Sequence, residues 1–587
     1  MTESVPFVAL SYVWGNDVDQ PRSLLATRDN IEYLQKDGSL SSSRLPAVID
    51  DAIFACLQLE EIYLWVDRLC IVQDDSASKH NQISAMDKIY SATRLALVVA
   101  TGVNMHSRIS GVGKARTLTQ KRSTTSGVEI ITYIPPSRKN NTVWATRAWT
   151  YQEAVLAKRK LYFFDNKVRL EDGSRLWSEN LFPDVPRSPA YDHLFVGQEP
   201  RFATYIRHLR SYQCRLLSRD TDIYNAFAGI TLAMYPGPNS TIYGLPCVDF
   251  DHGLLWYIDP RRKRTIRRAA ENDSSVWYPS WSWSSVIERC GYSYNSFCET
   301  LIRWFAFDES IFPHRFRRIE ASGYDEGADD RARLRALETA EQEGLTSEST
   351  KLKESSKPNG PLWRVYMFLA RSEGCILQLD GPKNDTLDRC NYLELDSWLS
   401  TKWPTYTDFW QQSFPPEPDA VLQAKRGISA TVAQSATFKF SEFDSGSRIE
   451  ITSKANEVVG ILGALVYRYP SKHPLSLDHM RAVLDSSKDR GIELIALSIS
   501  RLPYAVGVPQ EVLFSGYPRE EAKAKMLDPQ SRLTYFDRDG KPLDPPPIVN
   551  IMLIERGDRY TRRVELGWVF LTKWVEAEPE WKTIFLE

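Results

Sequence analysis

Apolar and amphipathic stretches alternate along roughly the first 165 residues of the chain. At residues 46–57 and 80–92 apolar side chains recur every three or four positions, which indicates helices. Short, mostly apolar runs flank these stretches and are typical of strands buried on both faces of a sheet. These runs cover residues 6–12, 62–66, 95–100 and 160–164. The alternation predicts an open, mostly parallel α/β sheet.

The pattern changes further along the chain. Apolar side chains recur at helical spacing in residues 202–216 and 223–234, which predicts two amphipathic helices that form a hairpin. Short β-like runs separated by turn signals predict a β-rich C-terminal part. We therefore predict four segments, which are an α/β domain, a helical and Trp-rich β region, a disordered linker or insertion, and a β-rich C-terminal domain. Their boundaries are residues 1–170, 171–310, 311–361 and 362–587.

Chemically useful side chains follow the first two predicted strands. Ser11, Tyr12, Trp14 and Gly15 come at the end of the first strand, and Asp67 follows the second. Ligands in open α/β sheets bind at the carboxyl ends of strands, so these residues are candidate binding residues. A glycine there lets a ligand approach the backbone, and an aromatic ring could stack on a planar group. The alternative is structural: Trp14 covers the sheet edge, and Asp67 caps a helix or pairs with an arginine.

A further candidate lies on the predicted helix that begins near Arg147. Trp149 and Glu153 are four residues apart on this helix and therefore share a face. The glutamate precedes an apolar run, so its carboxylate is expected to be partly desolvated, which costs free energy unless the charge is paired or used. The alternative is a structural salt bridge from Glu153 to Arg147 or Arg159.

The composition of the chain limits the classes of protein to which it can belong. The formal net charge is −2, which gives no global reason to expect binding to nucleic acid or to an anionic membrane. The eight cysteines contain no C-x-x-C pair, which is typical of reduced thiols in a cytoplasmic protein. No apolar run reaches the roughly 20 residues needed to cross a bilayer, and no signal peptide is recognisable. The histidines lack metal-ligand spacing, so we predict no metal site.

Several blocks in order resemble one known family. They are Ala-Leu-Ser-Tyr-Val-Trp-Gly at residues 9–15, Trp-Val-Asp-Arg-Leu-Cys-Ile-Val-Gln-Asp at 65–74, the stretch 86–90, and Arg-Ala-Trp-Thr-Tyr-Gln-Glu at 147–153. Together they resemble the fungal heterokaryon incompatibility (HET) domain across residues 7–153. The family usually has an asparagine where this chain has Val72. The resemblance implies fungal nonself recognition with a protein partner, in which the domain triggers growth arrest or cell death.

The HET domain is itself remotely similar to Toll/interleukin-1 receptor (TIR) domains, which have a flavodoxin-like open sheet. Members of that group cleave NAD+ through a glutamate in a Trp-Cys-x-x-Glu helix. Here Trp149 and Glu153 keep that spacing, and Thr150 replaces the cysteine. The resemblance thus implies that Glu153 is catalytic, that the strand-end residues with Arg147 and Trp149 bind NAD+ as a substrate, and that no cofactor is needed. It also implies that the site completes in a homo-oligomer on activation.

Two other functions stay open at this point. The chain could be a non-enzymatic recognition or adaptor module that uses a TIR-like surface, or a divergent family member without activity. The sequence therefore indicates a candidate NAD+ glycohydrolase, but it does not decide whether the protein is an enzyme.

Overall fold

The structure is a computed structural model, and it forms two compact units, Met1–Pro238 and Asn239–Glu587. The described residues are 5–15, 23–40, 44–116, 122–131, 142–173, 175–179, 194, 201–237, 239–258, 268, 276–287, 290–292, 299–308, 315–319, 427–442, 449–463, 478–501, 535–536, 542–543 and 547–587.

The first unit is built on a mostly parallel sheet. Its described strands are β1 (Val8–Ser11), β2 (Leu64–Trp65), β3 (Leu95–Val99), β4 (Arg122–Thr125), β5 (Val128–Ile131), β6 (Arg159–Phe163), β7 (Val168–Asp172) and β8 (Arg175–Ser178). Six of them form one sheet in the order β2-β1-β3-β6-β7-β8, in which the first four run parallel and β7 and β8 are antiparallel additions. The predicted α/β class is confirmed.

Successive side chains of a strand point to opposite faces of the sheet, and in the central strands both faces pack against an apolar core. Val8 and Leu10 face one core, which contains the buried side of a helix, and Ala9 faces a second core on the other side of the sheet. All four residues of β1 and all five of β3 are buried. Because both faces of these strands are covered, no polar alternation appears in their sequence.

Helices cover the sheet of the first unit. The described ones are α1 (Ile31–Leu34), α2 (Ala47–Gln58), α3 (Asp67–Cys70), α4 (Ser76–Ser84), α5 (Met86–Ala92), α6 (Val143–Thr146), α7 (Trp149–Leu156), α8 (Arg201–Tyr212) and α9 (Asn225–Met234), with a 3-10 turn at Asp220–Asp222. The helix predicted at residues 80–92 is in fact two helices separated at Ala85, which is not helical. The helix predicted at residues 46–57 begins directly after Pro46, where the missing N–H is harmless.

Helix α7 is buried on almost every side. Its residues from Thr150 to Leu156 are all buried, because α5 packs on one side and α9 on another. The buried amide oxygen of Gln152 accepts a hydrogen bond from the N–H of Gly229, at 3.2 Å. A side chain at position 229 would meet this amide oxygen at 2.9 Å, so glycine allows α9 to approach α7 closely. The sequence predicted this helix but not its complete burial.

The second unit is dominated by antiparallel strands. They are β9 (Thr241–Ile242), β10 (Leu245–Pro246), β11 (Trp256–Ile258), β12 (Cys290–Tyr292), β13 (Glu299–Thr300), β14 (Arg303–Asp308), β15 (Arg315–Arg318), β16 (Ser429–Glu442), β17 (Ile449–Thr452), β18 (Val458–Leu462), β19 (Ile492–Arg501), β20 (Tyr535–Phe536), β21 (Pro542–Leu543), β22 (Pro547–Arg556), β23 (Thr561–Phe570) and β24 (Glu580–Leu586). Its described helices are α10 (Phe250–Gly253), α11 (Asp478–Ser486) and α12 (Leu571–Glu576), with a 3-10 turn at Trp283–Ser285.

The long strand β16 organises the main sheet of the second unit. Successive parts of β16 pair with β24, β19 and β17, while β17, β18, β23, β22 and β19 pair in turn. The path of paired strands therefore closes on itself around an apolar core that contains Ile451, Leu494 and Trp574. The predicted β-rich C-terminal region is confirmed.

Two predictions fall wholly or largely outside the described residues. Within the predicted linker at residues 311–361, Arg315–Arg318 form strand β15, and residues 320–361 lie outside the described part. Residues 362–426 of the predicted C-terminal domain also lie outside it. No helix in the described part of the chain is both long and apolar enough to span a membrane.

Candidate functional site

The end of β1 carries a buried hydroxyl that contacts a buried carboxylate. Ser11 is the last residue of β1, and its Oγ donates a hydrogen bond to Oε2 of Glu153 on α7. The same Ser11 Oγ accepts a hydrogen bond from the indole Nε1 of Trp144, at 2.7 Å. The three side chains are almost completely buried, so this chain of contacts is shielded from water.

Glu153 is only 7% exposed, and its environment favours the protonated carboxyl. Burial is the largest cause that raises the pKa of Glu153 to about 8, and the charge of the nearby Asp67 contributes, while the hydrogen bond from Ser11, the Tyr90 hydroxyl and the charge of Arg215 oppose the rise. No lysine or arginine of the described residues forms an ion pair with Glu153 within 4.0 Å. The alternative salt bridge to Arg147 or Arg159 is therefore not formed.

Asp67 supplies a second carboxylate beside the first. It begins α3 directly after β2, where its Oδ2 accepts from the indole Nε1 of Trp14 at 2.7 Å and its Oδ1 accepts from the backbone N–H of Arg68 at 2.7 Å. Asp67 stays partly exposed. Desolvation raises its pKa to about 6, although the two hydrogen bonds favour the charged form. Asp67 is thus mostly ionised at pH 7.

Two buried tyrosines lie near the carboxylates. The Tyr12 hydroxyl is buried beside Asp67, and burial, followed by the charge of Asp67, raises its pKa well above the ordinary value. The Tyr90 hydroxyl donates to the carbonyl of Leu10 at 3.0 Å, and its pKa is likewise raised, first by burial and then by the charge of Glu153. Both phenols therefore stay neutral and can serve as hydrogen-bonding groups.

The loop that follows β1 is fixed by packing against the loop that follows β3. Gly15 has a φ of 76°, and a side chain there would place Cβ 2.4 Å from Cβ of Asn104. The carbonyl of Trp14 accepts from the N–H of Met105 at 3.1 Å. The guanidinium of Arg68 lies over the Trp14 ring, 5.2 Å from its centroid, and helps to hold it. Glycine at position 15 is required by this packing.

The other two predicted residues contact a different region of the first unit. The indole Nε1 of Trp149 donates to Oδ2 of Asp222 at 3.3 Å, near the start of α9. The backbone carbonyl of Arg147 accepts from Nη1 of Arg215 at 3.1 Å. The structure therefore brings Ser11, Tyr12, Trp14, Asp67 and Glu153 together, with Gly15 at the exposed end of their loop, while the contacts of Trp149 and Arg147 extend toward the α8–α9 hairpin.

The segment that contains this cluster of side chains matches a known protein family. Residues 7–153, which include every member of the cluster, match the family described as heterokaryon incompatibility protein (HET). This segment is a HET domain. The Neurospora crassa heterokaryon incompatibility protein 6, OR allele, is 31% identical over 102 residues, which cover 16% of this chain and only 14% of that protein. No solved structure matches the chain.

Trp144 and Tyr90 belong to this cluster of side chains, although the sequence analysis did not single them out. Trp144 lies on the short helix α6, and nothing in its local sequence distinguishes it from a core tryptophan. Tyr90 occupies an inward position of α5, where a hydroxyl was the only signal of a polar role. Their partners, Ser11 and Leu10, are 133 and 80 residues away in sequence. Such contacts become visible only when the sheet is assembled.

The cluster contains two neighbouring carboxyl groups, Asp67 and Glu153, whose pKa values differ. At pH 7 Asp67 is mainly ionised and Glu153 mainly protonated, because Trp14 and the backbone N–H of Arg68 stabilise the charge of Asp67, whereas that charge adds to the desolvation of Glu153. Pairs of carboxyl groups whose pKa values are pushed apart by their surroundings are typical of sites that transfer protons or stabilise a cation. In glycosyl transfer such groups stabilise an oxocarbenium-like sugar or activate water. The indole of Trp14, partly exposed beside Asp67, offers a stacking surface.

Proposed function

We propose that this protein acts in heterokaryon incompatibility as a nonself-recognition effector, and that its HET domain triggers cell death by hydrolysing NAD+ through Glu153. The observation that carries the proposal is a buried glutamate held by a serine hydroxyl and not by a cation. A carboxylate kept in such a place costs free energy, and sites of this kind are often functional.

The chemistry that this site would perform is simple in outline. The bond between ribose C1′ and the nicotinamide nitrogen breaks, its electron pair goes to the nitrogen, and neutral nicotinamide leaves. Water then adds to C1′ and releases a proton, which gives ADP-ribose. Ionised Glu153 would stabilise the positive charge that develops on the ribose. Asp67, whose pKa is about 6, is a suitable group to accept the released proton.

The positive charge of the substrate matters for the protonation of Glu153. The pKa of Glu153 is about 8 in the unliganded site. A cation within about 4–6 Å favours the charged form of a carboxyl group, so the pyridinium ring of NAD+ would lower this pKa on binding. The rate constant kcat/KM, which reports groups of the free enzyme, is therefore expected to rise with pH up to about 8.

To test the proposal, the purified full chain is clustered through an inducible dimerising tag and incubated with NAD+. The nicotinamide that is released is then measured. Glu153→Gln keeps the size of the side chain and its contact with Ser11, and should reduce the rate by about a hundredfold or more. Glu493→Gln, the same change in the second unit, is the matched control and should leave the rate unchanged. Clustered wild-type chain that releases no nicotinamide, or a Glu153→Gln variant that retains the rate, would reject the enzyme.

A second candidate is a non-enzymatic recognition or adaptor module. The observation that favours it is an apolar surface on α2 and the turn after it, where Phe54 is 53%, Leu57 66% and Ile62 85% exposed. Exposed apolar side chains grouped in this way often mark a protein contact. Under this function Glu153→Gln would leave cell death intact in a fungal host, whereas Leu57→Asp with Ile62→Asp would abolish it.

A further inference from the structure

The hydroxyl of Ser11 has a single proton, and the contacts around it decide where this proton points. Trp144 Nε1 carries a hydrogen and can only donate, so its 2.7 Å contact with Ser11 Oγ makes the hydroxyl oxygen the acceptor. The hydroxyl proton is then left for Oε2 of Glu153. Because Ser11 and Trp144 are no more than 1% exposed, water does not compete for either contact.

Trp144 is itself held firmly in place. It lies on α6, whose first turn is capped by Thr142, with Oγ1 accepting from the N–H of Ala145 at 3.2 Å. Its ring meets the ring of Tyr162 on β6 edge to face, with centroids 5.9 Å apart. Its carbonyl accepts from Oγ1 of Thr150 at 2.6 Å, which ties α6 to the first turn of α7, the helix that carries Glu153. The indole and the carboxylate are thus parts of one rigid segment.

We propose that Trp144 is a positioning residue for Glu153, whose indole N–H fixes the Ser11 hydroxyl so that its proton points at the Glu153 carboxylate. The proposal rests on the proposed function, since it concerns how the same carboxylate is kept in its reactive form. Ser11 then serves Glu153 and not the substrate. The effect is indirect, because Trp144 acts only through Ser11.

Other groups face Glu153 and must be considered when its titration is measured. Asp67 on α3 opposes ionisation of Glu153 by its charge, whereas Tyr90 on α5 and Arg215 beyond α8 favour it. Tyr12, at the end of β1, also faces Glu153 but stays neutral. The indole nitrogen of Trp144 donates to the Ser11 hydroxyl, so a change at this nitrogen reaches Glu153 through that hydroxyl.

The test is Trp144→Phe in the full-length chain, which removes the N–H and keeps an aromatic ring against Tyr162. Infrared difference spectra against Glu153→Gln follow the carboxyl stretch of Glu153 as the pH changes and need no catalytic activity. We expect the titration midpoint to move upward, so that the ionised fraction of Glu153 at pH 7.5 falls by about three- to tenfold, the effect of one net hydrogen bond. Trp149→Phe is the matched control, because its indole donates to Asp222, and it should leave the midpoint unchanged.

A double-mutant cycle separates positioning from general damage to the core. Ser11→Ala should raise the midpoint at least as much as Trp144→Phe, and Trp144→Phe should have no further effect in the Ser11→Ala background. An unmoved midpoint in Trp144→Phe, or an equal further shift in the double variant, would overturn the proposal. If Trp144→Phe does not fold, benzothienylalanine at this position, in which sulfur replaces the N–H, takes its place.

The rate of nicotinamide release gives a second readout that distinguishes the two proposals. In Trp144→Phe the rate at pH 7.5 should fall by the same factor as the ionised fraction and be regained at higher pH. A wild-type chain without activity would reject the enzyme but leave the titration result to decide the role of Trp144. A midpoint that moves without any change in rate would reject the role of Trp144 in catalysis.

Discussion

Glu153 in the first unit and Glu493 in the second both accept a serine hydroxyl, yet their pKa values move in opposite directions. Glu493 on β19 accepts from Ser435 Oγ at 2.8 Å and from two nitrogens of Arg556, at 2.7 and 2.9 Å. The hydrogen bond from Arg556 is the largest cause that lowers the pKa of Glu493 to about 2. Burial without a paired cation instead raises the pKa of Glu153 to about 8.

The difference separates a structural carboxylate from a candidate functional one. At Glu493 the charge is stabilised by a guanidinium near the surface, and the ion pair supports the pairing of β19 with β22. Among the described residues no lysine or arginine forms an ion pair with Glu153, so its desolvation is only partly offset and the carboxylate is a local cost to the fold. Proteins tend to keep such costs at sites where the group is used. Substitutions that change one residue at a time around Glu153 or Glu493 test this difference between the two carboxyl groups.

The largest expected effect is on the stability of the first unit in Glu153→Gln. A carboxyl group whose pKa is raised by folding, from 4.5 to about 8 here, contributes stability below pH 4.5 and loses it as the pH rises to 8. The glutamine is neutral throughout, so the variant should match the wild type near pH 4.5 and exceed it by on the order of 3–5 kcal/mol above pH 8. Hydrogen exchange of the α7 amides at both pH values measures this difference. Lower protection of the variant above pH 8 would show that the carboxylate is stabilised in the fold.

Glu493→Gln should show the opposite sign. The pKa of Glu493 is lowered from 4.5 to about 2, so its contribution is present above pH 4.5 and is lost as the pH falls toward 2. Arg556 is 46% exposed, and solvent screening reduces the contribution, so we expect a loss of about 1–2 kcal/mol at pH 7 and almost none near pH 2. Urea unfolding followed by exchange of the β19 amides gives the value. A variant as stable as the wild type at pH 7 would mean that the ion pair contributes nothing.

The same contrast shows what the sequence could and could not predict. The apolar runs predicted the parallel sheet, and sheet topology then indicated that Ser11 and Asp67 lie at neighbouring strand ends. The sequence did not reveal that Ser11 Oγ meets a carboxylate 142 residues away, because that depends on how α7 packs on the sheet. It also did not reveal that Trp149 contacts Asp222, since the α8–α9 hairpin is placed by long-range packing. The closure of the second sheet through β16 has the same origin.

Trp14→Phe should have a smaller effect, confined to the second carboxyl group of the site. The indole N–H of Trp14 lowers the pKa of Asp67, so its loss should raise that pKa above about 6 and cost about 1 kcal/mol at pH 7. Below pH 3.8, where Asp67 is protonated in both folded and unfolded chains, the cost should disappear. Unfolding of the first unit at pH 7 and pH 3.5 tests this, with Trp149→Phe as the control. A cost that is equal at both pH values would indicate lost packing and not a lost hydrogen bond.

The smallest effect is expected for Lys582→Gln, which removes the second cation near Glu493. Its Nζ lies 3.6 Å from Oε1 of Glu493 and its side chain is 40% exposed, so the pair is a screened surface contact. Such pairs contribute about 0.2–1 kcal/mol, and 0.5 M salt should remove most of the effect. Arg556→Gln, which breaks two hydrogen bonds as well, should cost more and respond less to salt. If Lys582→Gln cost as much as Arg556→Gln, the low pKa of Glu493 would depend on nearby charge alone and not on hydrogen bonds. A cation placed near Glu153 would then be enough to ionise Glu153 without the Ser11 hydroxyl.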